Sequence, residues 1–175
     1  HHVEGKARYG DLSVDAAAFT QSVEARTRSR LEARGIAADA PRVADALGRL
    51  YGADLYLAMG CLAGTASAWE VIANELLPVV AGFLRKRGVP EQHAEEVCAE
   101  LAGDLVSPTP SGEPLLATYD GSGRLVSFLC VIALRRGWAR LRRRQVVSID
   151  AGPESAGTRE VEAEAEDPFD AALAS

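Results

Sequence analysis

The sequence predicts an all-α protein, and three observations carry that expectation. The chain is 47% hydrophobic and rich in alanine and leucine, both good helix formers. Alternating runs of β-branched residues, the mark of half-buried strands, are few. Large apolar residues recur instead at helical spacing, as in Trp69, Ile72, Leu76, Val79, Val80 and Phe83. A length of 175 residues holds one domain with room for an appendage.

The elements follow in order. The opening HHVEGKARYGD lacks the apolar core of a signal peptide, and His1 and His2 read as an affinity-tag remnant, set outside the fold. Residues 13–34 read as a helix capped by Ser13 and stopped by Gly35, with a thin stripe of Val14, Ala17, Ala18, Val23 and Leu31. A second helix is expected from Pro41, a good first-turn residue, to about Tyr51. GADLYLAMGCLAG makes a short helix ending at Gly64. The next helix starts at a Thr65 or Ser67 cap and closes at Gly88, with Arg85, Lys86 and Arg87 at its negative dipole end. Pro78 lies inside it and predicts a kink or a break. From Pro90 an acidic helix carries Ala94, Val97, Cys98, Leu101 and Leu105 on one face. SPTPSGEP is a loop by composition. A GSG turn then leads into a helix from Leu125 to Arg143, its apolar face including Phe128, Leu129, Ile132, Leu134 and Leu141. Beyond Val147 large apolar groups thin out, predicting an acidic, largely unstructured linker. Charge interrupts every apolar stretch before ~20 residues, so no membrane span is expected.

Charge is segregated along the chain. The formal net charge is −6, yet residues 121–144 hold Arg124, Arg135, Arg136, Arg140, Arg142, Arg143 and Arg144 with no acid. Residues 88–120 carry Glu91, Glu95, Glu96, Glu100, Asp104, Glu113 and Asp120 with no Lys or Arg. Residues 145–175 are acidic again, with Arg159 alone opposing. Such asymmetry points to two partners, one anionic and one not, although a charge run is also what a solvated helix face looks like.

Catalytic chemistry finds little support. Outside the first two residues His93 is the sole histidine, on a charged helix start without a neighbouring nucleophile. Cys61, Cys98 and Cys130 lie far apart among apolar residues and fit buried free thiols in a reducing compartment, with no metal-ligand spacing. Phosphate loops and dinucleotide fingerprints are lacking. No cofactor, no metal and no enzymatic activity are expected.

The order of motifs is more specific. A helix ending FLRKRG, an acidic helix AEEVCAEL, a YDGSGRL turn and the helix VSFLCVIALRRGWARLRRR together resemble the region 2 domain of bacterial RNA polymerase sigma factors, of the extracytoplasmic-function type. Glu95, Glu96 and Glu100 align with that family's acidic positions. Gly123, Phe128, Ile132 and Ala133 fall on its glycine, aromatic and Ile-Ala positions, and Arg142 to Arg144 on its terminal arginines. The DLYLAMGCLAG opening, behind a helical extension, looks like a group of such factors common in myxobacteria. Two positions depart: Ala99 stands where glutamine is frequent, and Gly137–Trp138 replaces a common Asn-Leu-Ala-Leu run.

The resemblance implies a compact multi-helix sigma region 2 bundle at residues 53–144, an N-terminal helical extension at 1–52 and an acidic linker at 145–175 leading to an absent region 4 domain. It implies a cytoplasmic transcription initiation factor that binds core RNA polymerase and recognises and melts the −10 promoter element. Glu95, Glu96, Glu100, Leu101 and Asp104 would meet the clamp coiled coil of the largest subunit. Arg135, Arg136, Arg140 and Arg143 would contact DNA phosphates, with Trp138 a platform for an unpaired base and Phe128 core. Gly121, Ser122, Gly123 and Arg124 would receive a flipped base, or serve only as a helix-entry turn. The competing expectation is a helical interaction module whose basic helix docks an acidic partner such as an anti-sigma factor.

Overall fold

The computed structural model describes residues 1–108 and 112–150, with residues 144–150 described by their backbone alone. Of the expected unstructured linker at 145–175, residues 145–150 are helical instead, continuing the last helix, and residues 151–175 lie outside the described residues. The described residues form an all-α bundle, as the sequence predicts. Helix α1 spans His2–Tyr9, α2 Ala16–Ala33, α3 Ala40–Gly48 and α4 Gly52–Leu62. Helix α5 spans Ala66–Lys86, α6 Glu91–Val106 and α7 Leu125–Asp150, with a 3-10 turn at Leu115–Thr118 before α7.

Local chemistry sets most boundaries. Helix α2 begins two residues later than expected, because Ser13 sits at φ 56° and Asp15 is the cap, its carboxylate accepting from the Ala18 N–H at 2.8 Å. Asp39 does the same for α3, accepting from the Arg42 N–H at 3.0 Å, with Pro41 in the first turn. Gly35, Gly64 and Gly88 follow α2, α4 and α5 with positive φ, the usual glycine exit. Pro78 does not break α5, which runs through it without interruption. A wider π segment, Ile72–Leu76, lies just before it, and the Leu77 N–H reaches back to the Ile72 carbonyl. That extra residue in the turn accommodates a ring whose missing N–H would interrupt a regular helix.

One hydrophobic cluster joins the helices. Helices α5, α6 and α7 pack pairwise, burying Val80, Leu84, Val97, Leu101, Leu105, Leu129 and Ala133. The N-terminal region is part of the same core, with Leu12, Phe19 and Val23 buried alongside Leu55, Tyr56 and Leu57 of α4. Helix α1, which the sequence reading does not foresee and which includes His2, set outside the fold there, lies along α4. Its His2 ring meets Tyr56 edge-on at 5.0 Å and Phe19 at 5.7 Å. Residue 52 is therefore no break in the packing.

Helix α5 corrects one expectation. It is long and apolar enough, by length and composition alone, to cross a membrane, because Glu70 and Glu75 are the only charges before Arg85 and Lys86 at its end. In the bundle, Ala68, Ile72, Val80 and Leu84 form its buried stripe, while Val79, counted by periodicity with the core, is 56% exposed.

Candidate nucleic-acid interface

The turn between Tyr119 and Leu125 is held on every side. Gly121 has φ 74°, and a Cβ there would meet the Leu55 side chain at 2.5 Å, so only glycine fits. Its carbonyl accepts from the Tyr51 N–H at 2.9 Å. Asp120 accepts from the Ser122 N–H at 2.9 Å and hydroxyl at 2.6 Å, and from Arg30 of α2 at 3.1 Å. Burial opposes ionisation of Asp120, but the Ser122 bonds and the Arg30 guanidinium outweigh it and hold the carboxyl below its usual range. The Tyr119 hydroxyl donates to the Gly123 carbonyl at 2.6 Å, and Arg26 donates to the Ala117 and Tyr119 carbonyls at 3.1 and 3.4 Å.

The first turn of α7 is anchored from α4. The Leu125 N–H donates to buried Asp54 at 2.8 Å, and the Tyr9 hydroxyl donates to the other oxygen of the same carboxylate at 3.2 Å. Burial first, and then the Asp54 charge, push the Tyr9 phenol up to about 12. Sequence reasoning missed Asp54, Arg26 and Arg30. The available signal for Asp54 was its position as the one charge within the apolar run GADLYLAMG. Of the four turn residues assigned to DNA, Ser122 and Arg124 are exposed. Gly121 is buried with its carbonyl occupied, and it shapes the turn.

The acidic and basic zones face each other. Arg136 pairs with Asp104 at 2.7 Å, and Arg140 pairs with Glu96 at 2.9 Å and with Glu100. The spacing of four residues puts Arg136 and Arg140 on one stripe of α7, turned toward α6. This alters the residues assigned to a polymerase contact. Glu96, Glu100 and Asp104 are engaged within the chain, and Leu101 is fully buried, so it supports α6 from beneath instead of offering contact area. Glu95 is exposed and makes no ion pair among the described residues.

The remaining arginines divide differently. Arg135, Arg142 and Arg143 are exposed, and an open cleft of about 730 Å³ beside them is lined by Glu100, Asp104, Arg135, Arg136, Arg140 and Arg143. At helical spacing Arg135, Trp138 and Arg142 share a face, with Trp138 half-buried against the core. Phe128 packs on Tyr119 with ring centroids 5.3 Å apart, in the core as expected. The side chain of Arg144 lies outside the described residues.

Burial places the remaining cysteine and histidine candidates. Cys61, Cys98 and Cys130 are buried free thiols, and burial pushes the Cys61 thiol up to about 12. His93 is buried rather than at a charged surface, because it shares the inner face of α6 with Ala94 and Val97. No cluster of metal-ligating side chains occurs among the described residues. No protein-family model, no curated protein and no solved structure matches this chain.

Proposed function

We propose that this chain is a transcription initiation factor of the sigma region 2 kind, acting in the cytoplasm on core RNA polymerase and the −10 element of promoter DNA. The observation that supports this most is the exposed arginines of α7, Arg135 and Arg142 sharing a face with Trp138 and Arg143 beside them, on the helix that the glycine turn opens. Single-stranded DNA needs cations for its phosphates and flat apolar surface for its bases, and this face supplies both. Arg124 and Ser122 extend the polar surface around the turn. Glu95, exposed on α6, is the acid best placed for a basic coiled coil of the polymerase clamp.

A second reading has its own observation. The basic helix already holds three carboxylates of α6, so an acidic helix from another protein, such as an anti-sigma factor, could take their place. In that case the chain is a docking module.

Co-elution with core RNA polymerase separates the two. The first reading expects a complex that Glu95→Lys weakens and that binds single-stranded promoter DNA with base preference. Failure of a folded chain to bind the polymerase, or DNA binding indifferent to sequence, would overturn it.

A further inference from the structure

A second arginine cluster lies away from α7. The last turn of α2, helix α3 and the glycine turn enclose a cleft of about 380 Å³. Arg30, Arg34, Arg42 and Arg49 line it, against a single lining acid, Asp45, in a chain whose net charge is −6. Leu31, Ile36 and Leu50 form its apolar side, and Ser122 closes it from the turn.

The four guanidinium groups are not equally committed. Arg30 is 21% exposed and fixed by Asp120 at 3.1 Å, so it presents its charge in one orientation. Arg42 pairs with Asp39 three residues before it, and Arg49 with Asp45 four residues before it. Those side chains are 56% and 77% exposed, and such exposed helix pairs are weak enough for a polyanion to displace. Arg34 makes no ion pair among the described residues. Guanidinium forks match phosphate oxygens bidentately, and their planes stack on rings, while the volume is that of a small-molecule pocket.

We propose that this cleft binds a nucleoside phosphate, its phosphates held by Arg34, Arg42 and Arg49 and its base against Leu31, Ile36 and Leu50. The site goes beyond the promoter-binding reading and stands without it. It adjoins the turn through Arg30–Asp120, so occupancy is coupled to Ser122 and the start of α7. The nucleoside phosphate is either free or the 5′-phosphorylated end of a strand.

The probes are ATP and a short single-stranded oligonucleotide with or without a 5′-phosphate, titrated against the full chain. Expected is saturable ATP binding that weakens roughly tenfold in Arg34→Ala and again in Arg42→Ala, with helical content unchanged. Arg142→Ala with Arg143→Ala, on the far helix, should leave it intact. If only the 5′-phosphorylated oligonucleotide shows this pattern, the nucleoside phosphate is a strand end. Absence of saturation by either probe, or equal weakening by the α7 variants, overturns the proposal. The sigma reading assigns no polymerase contact to Arg34 or Arg42, so failure here leaves that reading to be judged on its own.

Discussion

Gly121 combines two constraints that at the other described glycines occur at most singly: left-handed backbone and a neighbour in the space of a Cβ. Gly121→Ala is therefore expected to lower stability by about 1–3 kcal/mol, read as a shift in urea midpoint, and to weaken any ligand that needs the turn. A change at Gly123, where a Cβ would meet nothing within 4 Å, should cost far less. Asp120 adds a pH dependence whose sign follows from its lowered pKa. The turn's carboxylate bonds contribute fully above the usual value of 3.8 and are lost as pH falls through the lower folded value. Acid unfolding should therefore begin at higher pH in Asp120→Asn, which lacks this contribution at every pH, than in the parent chain. The thiols give a third residue-level expectation. With the Cys61 thiol raised to about 12 and Cys98 and Cys130 also raised by burial, native protein at pH 8 should react negligibly with a disulfide reagent. All three should titrate once it is unfolded.

Helices α6 and α7 show what charge segregation in a sequence does and does not reveal. The acidic and basic runs are plain in one dimension, and both were read as surfaces for other molecules. Their mutual pairing depends on which helix faces which, information carried by the apolar stripes of both elements jointly and not by either charge run. Only the rotation of α7 about its axis divides Arg136 and Arg140, turned inward to α6, from Arg135 and Arg142. A functional consequence follows. The α6 carboxylates compete with any external anion for Arg136 and Arg140, so neutralising them frees positive charge for a ligand. Glu96→Gln with Glu100→Gln should raise affinity for single-stranded DNA by roughly three- to tenfold at low salt and steepen its salt dependence. Unchanged affinity in anisotropy titrations would mean that DNA does not approach this side of α7. Within α5, periodicity located the helix but could not foresee the π segment, because a one-residue widening shifts every later side chain and leaves composition untouched. Val79 is the residue it misplaced.

At the scale of the whole molecule, the sequence disclosed α2 to α7 through glycine exits and apolar spacing, since each is local chemistry, but not α1 or the Asp15 cap of α2. It did not disclose how the N-terminal region joins the rest, because that junction is made by single polar groups buried between elements distant in sequence. Asp54 is the clearest of them, reached from α1 by Tyr9 and from α7 by the Leu125 N–H. Leu12 and Tyr56 form a second such link, the Leu12 N–H donating to the Tyr56 hydroxyl at 3.0 Å. Removing Asp54 would strand a helix-start N–H and a phenol in a buried site, each a donor without an acceptor. Asp54→Ala is expected to destabilise the chain by about 2–4 kcal/mol, and Asp54→Asn, which keeps an acceptor oxygen, by roughly half as much. Because α1, α4 and α7 share one core, the loss should appear as an earlier single cooperative transition in thermal unfolding followed by far-ultraviolet circular dichroism. If α1 instead melts first and the remainder keeps its midpoint, the N-terminal helices are a separable layer. The position of the glycine turn must then be set by α2, through Arg26 and Arg30, rather than by α1 and α4.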